Sequence, residues 1–90
     1  MKFLYVIHDS ATNLWLPPVL QRGDGEAVRG FMAAVSDPQH DFFQYASELR
    51  LYKISAYDED TGRLSPLDAP ELILTGSQAL LKLQSLREVA

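Results

Sequence analysis

The residues best suited to bind a ligand are basic and aromatic side chains in the middle of the chain. The basic ones are Arg22, Arg29, Arg50 and Lys53, and the aromatic ones are Trp15, Tyr52 and Tyr57. Proteins that bind unpaired nucleic acid combine cationic side chains, which contact phosphates, with rings on which bases stack. These residues form such a patch if the helix carrying Arg29 lies beside the strand carrying Arg50 and Lys53. In the alternative interpretation, the rings belong to the core and the basic residues are solvated.

Each of the two histidines is followed by an acid, His8 by Asp9 and His40 by Asp41. A histidine and a carboxylate can together perform general acid–base catalysis. The sequence has no cysteine, no nucleophile motif and no glycine-rich phosphate loop to accompany either pair. We therefore interpret both histidines as surface residues and predict no catalytic site, no cofactor and no enzyme activity.

The acids Asp58 and Asp60 have the alternating spacing of a calcium-binding loop. Such a loop starting at Asp58 requires glycine at its sixth position and an acid at its twelfth, where the chain has Arg63 and Ala69. The segment is better explained as a solvated hairpin turn, in which Gly62 takes a positive φ and acidic side chains bond to backbone amides. We predict no metal site.

The clearest strand is Leu49–Tyr57, which precedes this turn and is rich in large apolar and aromatic residues. Lys2–His8 has the same character, and a cluster of turn-forming residues follows it, which predicts a strand and a hairpin. The chain resumes as the extended segment Leu14–Leu20. Its Pro17 and Pro18 cannot donate ladder hydrogen bonds, which predicts a sheet edge or a polyproline-like stretch.

The region after the turn predicts two short strands joined by a proline-containing connector. Arg63–Leu64 is a brief return strand, residues 65–70 are the connector, and Glu71–Thr75 is a short apolar strand. Between the first helix and the central strand, residues 41–48 are predicted as a loop with one helical turn that buries Phe42 or Phe43.

Two helices are predicted. The first starts at Asp24 as N-cap and carries an apolar stripe at helical spacing, formed by Val28, Phe31, Met32 and Val35. The second starts at Ser77 as N-cap and has leucines over one broad side, more than one small core can cover. The predicted fold is therefore α+β, a small antiparallel sheet of about four strands with one helix packed on a face and a C-terminal helix.

Length, cysteine content and net charge restrict the classes of function that the chain can have. Ninety residues form a single domain, and no apolar run approaches the roughly 20 residues that a membrane span needs, so we expect a soluble protein. The absence of cysteine fits a reducing compartment. The net charge is −4, and the stretch 58–71 is strongly acidic, which gives no support to strong, sequence-independent DNA binding. A small local basic patch is still compatible with this balance.

Several short motifs follow one another in a fixed order. They are Asp9 after an apolar strand, Pro17-Pro18, the A-x-R-x-F-x-x-x-V-x-D run of residues 27–37, Leu51-Tyr52-Lys53-Ile54, the turn of residues 57–62, and Pro70 through Gly76. In order and spacing, the chain resembles the small nonstructural protein of gokushovirus-type microviruses, which are single-stranded DNA phages. It departs from that family in having Tyr57 where phenylalanine is frequent and Ser55 where glycine is common, and its C-terminal helix does not align.

The resemblance implies a phage protein made in the host bacterial cytoplasm and absent from the mature virion, which acts in genome replication or packaging and is not an enzyme. Its implied partners are single-stranded DNA and the phage replication initiator or procapsid proteins. Because the acidic balance fits DNA binding poorly, a protein–protein adaptor without DNA binding is an equal alternative. Exposed leucines and sheet edges also predict a homo-oligomer, most simply a two-fold dimer, and no membrane partner is expected.

Overall fold

A computed structural model describes residues 1–89, with side chains through residue 86. These residues form five strands, two α-helices and a 3₁₀ turn at Ala46–Glu48. In order they are β1 (Lys2–Asp9), β2 (Leu14–Trp15), β3 (Val19–Gln21), α1 (Asp24–Ser36), β4 (Leu49–Asp58), β5 (Arg63–Thr75) and α2 (Gly76–Val89). The predicted α+β class is confirmed. Neither helix in the described part of the chain is long and apolar enough to cross a membrane.

The strands form one antiparallel sheet in the order β2-β1-β4-β5, and β3 also pairs with β1. Since β4 occupies one edge of β1, β2 and β3 share the other edge. The predicted segment Leu14–Leu20 is therefore at a sheet edge, but it is divided into two strands. The division falls at Pro17 and Pro18, which lack the N–H that a ladder needs. Just before them, the N–H of Leu16 still donates to the carbonyl of Ile7 at 2.9 Å.

The region after the β4–β5 turn differs from the prediction of two short strands. It is one strand, β5, of 13 residues that includes the expected connector. Ser55 pairs with Pro66 and Lys53 pairs with Glu71, so residues 67–70 bulge from the ladder opposite Ile54. Prolines are accepted here because β5 is an edge strand, where a residue without an N–H can remain extended. In the turn itself Gly62 has a φ of 73°, as predicted.

The main core lies between the sheet and the two helices. Its α1 members are Ala27, Phe31 and Val35, and Val28 and Met32 pack at its border, which confirms the predicted apolar stripe and its sheet-facing side. The other buried members come from the sheet, the 3₁₀ turn and α2, namely Tyr5, Ala46, Leu49, Leu51, Leu74 and Ala79. In the loop before β4, Phe42 packs on this core, whereas Phe43 is 47% exposed.

Both predicted N-caps are wrong. The N-cap of α1 is Gly23, and the Asp24 side chain turns instead toward β1 and β4. In α2 the cap is Thr75, because its Oγ1 accepts from the N–H of Gln78 at 3.0 Å while Gln78 Oε1 accepts from the N–H of Thr75 at 2.9 Å. This reciprocal capping box starts the helix before Ser77.

Gly76 follows the cap because the backbone approaches another segment closely there. A Cβ at this position would lie 1.6 Å from the carbonyl oxygen of Ala46. Only glycine lets the start of α2 lie against the 3₁₀ turn.

Candidate nucleic-acid interface

The sheet has two faces of different character. On β1, Phe3, Tyr5 and Ile7 belong to the helix side, and the hydroxyl of Tyr5 reaches Asp24 of α1. Side chains alternate along a strand, and paired residues share a face, so the register assigns each paired position to one side. We call the side away from the helices the open face; its paired positions are Lys2, Leu4, Val6, His8, Trp15, Leu20, Arg50, Tyr52, Ser55, Tyr57, Leu64, Pro66, Leu72 and Thr75.

Three rings meet on the open face, and we call His8, Trp15 and Tyr52 the aromatic cluster. The ring centroids of His8 and Trp15 are 4.4 Å apart, and those of Trp15 and Tyr52 are 5.1 Å apart. His8 and Tyr52 meet edge to face at 6.4 Å. Trp15 is 50% exposed, so much of its surface is available to a further ring.

The turn between β1 and β2 holds the cluster in place. Asn13 has a positive φ of 57°, and its Oδ1 lies 3.0 Å from Nε2 of His8. Ser10 donates from both its N–H and its hydroxyl to the carbonyl of Glu48, at 2.9 and 2.8 Å. These bonds tie the turn to the start of β4, the strand that carries Tyr52.

The open face is free of acid at its paired positions, although the chain has a net charge of −4. Its cations are Lys2 and Arg50, and the register sets Arg50 opposite His8. The carboxylates of the paired strand positions, at Asp9, Asp58 and Glu71, belong to the helix side. The sheet therefore separates the carboxylates of its paired positions from the aromatic cluster.

The structure divides the predicted basic residues between different surfaces. Lys53 lies on the helix side, where its Nζ contacts Asp24 at 2.9 Å and Glu71 at 3.5 Å. Arg22 approaches Glu26 at 3.9 Å, and Arg29 is exposed on α1. Of the four predicted basic residues, Arg50 shares a face with Trp15 and Tyr52. The physical reason is the two-residue period of a strand, which points residues 50 and 53 in opposite directions.

The Lys53 contacts belong to a partly buried network under α1. The fully buried Tyr5 donates its hydroxyl to Oδ1 of Asp24 at 2.5 Å. Burial first, and this bond second, raise the pKa of Tyr5. The bond from Tyr5, followed by that from Lys53, lowers the pKa of Asp24, and the bond to Asp24 raises the pKa of Lys53. The network therefore favours a charged carboxylate and a charged ammonium.

The other polar clusters considered from the sequence serve local structure. Oδ1 of Asp58 accepts from the N–H of Asp60 at 2.9 Å, as the hairpin interpretation predicts. His40 Nδ1 accepts from the N–H of Phe42 at 3.0 Å, so this histidine orders the loop before β4. Among the side chains that the structure describes, through residue 86, no group of three or more potential ligands could hold a metal ion.

The sequence interpretation missed His8 as a member of the aromatic cluster. The sequence feature that could have revealed it is the alternation of Leu4, Val6 and His8 along β1, which places His8 on the face opposite Tyr5. The contact with Trp15 and Tyr52 required the register of three strands.

A family profile described as "Phage ORF5 protein" matches residues 2–79. The match spans the whole sheet, α1 and the start of α2. The chain belongs to the phage ORF5 protein family. No curated protein and no solved structure matches it. The entire open face of this ORF5-family protein lies within the matched region. The aromatic cluster is therefore part of the segment that the family profile describes.

Proposed function

We propose that this phage accessory protein, of a gokushovirus-type microvirus, binds single-stranded DNA on its open face and assists genome replication or packaging in the cytoplasm of the infected bacterium. The supporting observation is the aromatic cluster, with Trp15 half exposed and Arg50 on the same face, whose paired positions carry no acid. The proposed role is that of a binding protein absent from the mature virion, not of an enzyme.

Stacking supplies the affinity in this proposal. A base stacked on an aromatic side chain contributes about 1–3 kcal/mol, and all four bases offer a flat face, so the contact is tolerant of sequence. Bases are free to stack on Trp15 only when they are unpaired. The open face is therefore expected to prefer single strands to duplex DNA.

Phosphate contacts are few. Lys2 and Arg50 are the cations of the open face, and Lys2 also lies 3.8 Å from Glu59. Each phosphate neutralised on a single strand contributes about −0.7 to the slope of log K against log salt. With one or two such contacts, binding is expected to weaken only gently with salt. A patch formed by all four predicted basic residues would make more phosphate contacts and would give a steeper salt dependence, so the salt slope distinguishes that patch from a stacking site.

Fluorescence anisotropy with a labelled single-stranded oligonucleotide tests the proposal. Trp15→Ala is expected to weaken binding by about 5- to 150-fold, the equivalent of one lost stack. Tyr45→Ala is the matched control, because Tyr45 is also 50% exposed but lies in the loop before β4. Arg50→Glu is expected to weaken binding more than Arg29→Glu. Equal effects of the two aromatic variants, or a preference for the duplex, would contradict the stacking site.

An adaptor function without DNA binding is the second candidate. The observation that favours it is the apolar surface of α2, where Leu80, Leu81 and Leu86 are exposed. Unpaired apolar surface of this kind marks contacts with other proteins. If the oligonucleotide does not bind at any salt concentration, the adaptor is the better explanation. A pull-down from infected cells should then recover the replication initiator or procapsid protein, and substitution of Leu81 by Asp should abolish the recovery.

A further inference from the structure

The helix side of the sheet has an apolar cavity that the proposed DNA site does not use. It has a volume of about 390 Å³ and opens between α1 and the edge formed by β2 and β3. Its wall includes Ile7, Leu16, Val19, Gly30, Phe31 and Phe42. Pockets that bind ligands usually have volumes of about 300–1,000 Å³, so this cavity is large enough for a substantial apolar group.

The lining limits what can enter. Tyr5 lines the cavity, but its hydroxyl is already bonded to Asp24, which leaves Gln21 as the other polar side chain of the wall. On α1 the wall is formed partly by Gly30, and no atom lies within 4 Å of a Cβ built there. The occupant must therefore be apolar, because a charged group would lose its hydration without finding a partner.

The loop that supplies Phe42 to the cavity wall is acidic, whereas Arg22 and Arg29 adjoin the wall residues Gln21 and Gly30 on the opposite side. Phe42 comes from the segment 37–48, which contains Asp37, Asp41 and Glu48 and neither lysine nor arginine. Asp41, which precedes Phe42, is exposed. On the Phe42 side of the cavity, this charge favours a partner with basic residues beside its apolar group.

The neighbouring strand suits an extended partner. Among the described residues, β3 pairs with β1 alone, so its outer edge is open to a further strand. Val19 belongs to this edge and also to the cavity wall, and it is exposed. A peptide added beside β3 could bond to the backbone and direct an alternate side chain into the cavity.

We propose that the cavity binds an aromatic or branched aliphatic side chain from an extended segment of a partner protein, flanked by lysine or arginine. The apolar side chain fills the space beside Gly30, and the flanking cations meet Asp41 and its acidic neighbours. The site lies on the helix side, opposite the aromatic cluster, so it does not depend on DNA binding.

Selection of a random peptide library against the immobilised full-length protein tests this inference. The expected consensus is one large apolar residue with lysine or arginine beside it. A synthetic peptide of the consensus is then titrated by calorimetry against wild type and Gly30→Leu. The leucine should obstruct the cavity and weaken binding by at least about tenfold, the effect of excluding one buried apolar side chain. This variant should remain folded, because leucine has a higher helix propensity than glycine.

Gly25→Leu is the matched control, because Gly25 is on the same helix, has no atom within 4 Å of its Cβ position and does not line the cavity. It should bind the peptide like wild type, as should Trp15→Ala, while Asp41→Asn should weaken binding at low salt. The inference is overturned if no peptide is enriched, if the consensus is acidic, or if Gly30→Leu binds as tightly as wild type. Saturable binding of a small apolar molecule such as benzene, with no peptide binding, would also overturn it.

Discussion

Replacement of Asp24 by Asn tests the network that fastens α1 to the sheet. Oδ1 of Asp24 accepts from the Tyr5 hydroxyl at 2.5 Å and lies 2.9 Å from Nζ of Lys53. Asparagine keeps the shape and a carbonyl oxygen but loses the charge. If Asp24 acted only as an N-cap, the substitution would be nearly neutral, because asparagine caps as well as aspartate. The two explanations therefore predict different stabilities.

The expected loss follows from the burial of the partners. A hydrogen bond to a charged group contributes about 1.5–3 kcal/mol, and a neutral one about 0.5–1.5 kcal/mol. Replacing the charged acceptor of the buried Tyr5 hydroxyl by a neutral one therefore costs about 1 kcal/mol. Because the Asp24 side chain is 50% exposed, its ion pair with Lys53 adds no more than about 1 kcal/mol. We expect Asp24→Asn to lower the free energy of unfolding by about 1–2 kcal/mol at neutral pH.

The pH dependence has a definite sign. The bond from Tyr5, and then that from Lys53, lowers the pKa of Asp24 below its ordinary value. The charged carboxylate therefore stabilises the folded state above the unfolded pKa of roughly 4, and this stabilisation is lost as the pH falls through the lower folded pKa. Acidification through this range should reduce the difference in stability between wild type and Asp24→Asn.

The interaction free energy between Tyr5 and Asp24 is measured by urea denaturation of four proteins: wild type, Asp24→Asn, Tyr5→Phe and the double variant. If the bond exists, the double variant should be less destabilised than the sum of the single variants by about 1 kcal/mol. Asp41→Asn is the control for removal of an exposed carboxylate, with an expected effect within about 0.5 kcal/mol. Additive effects of the two substitutions, or an Asp24→Asn variant as stable as Asp41→Asn, would refute the network.

Three further predictions concern packing and assembly. Phe31→Ala should lower the free energy of unfolding by about 3–5 kcal/mol, enough to unfold a marginal domain, and an unchanged thermal melt would contradict its position in the core. Gly76→Ala should destabilise the fold by about 1–3 kcal/mol or more through the clash at the start of α2, whereas Gly30→Ala should stabilise it by about 1 kcal/mol; effects of the same sign in chemical denaturation would be inconsistent with this packing. Sedimentation velocity at micromolar concentration should show a two-fold dimer that Leu81→Asp dissociates, and a single monomeric species for wild type would exclude the dimer.

Local patterns were sufficient for much of the fold. The apolar spacing of α1 predicted that Phe31 and Val35 face the sheet, and the residues of the β4–β5 turn predicted the positive φ of Gly62. Each inference rests on a period or a backbone preference that neighbouring residues determine. Patterns failed where a distant segment changed the outcome. Asp24 has the composition of an N-cap, but its carboxylate contacts Tyr5 and Lys53 from two other elements.

The sequence by itself determined the class of fold and limited the proline segment to a sheet edge or a polyproline-like stretch, but it grouped Arg50 and Lys53 in one patch, although strand alternation places residues 50 and 53 on opposite sides. Only the tertiary structure decided which side is covered by α1, and hence that Arg50, and not Lys53, accompanies Trp15 and Tyr52. The same holds for the cavity beside Gly30, whose walls come from segments far apart in the chain. Strand alternation is a property of each strand alone. The register between strands depends on the burial of apolar surface by the whole domain, which no local pattern encodes.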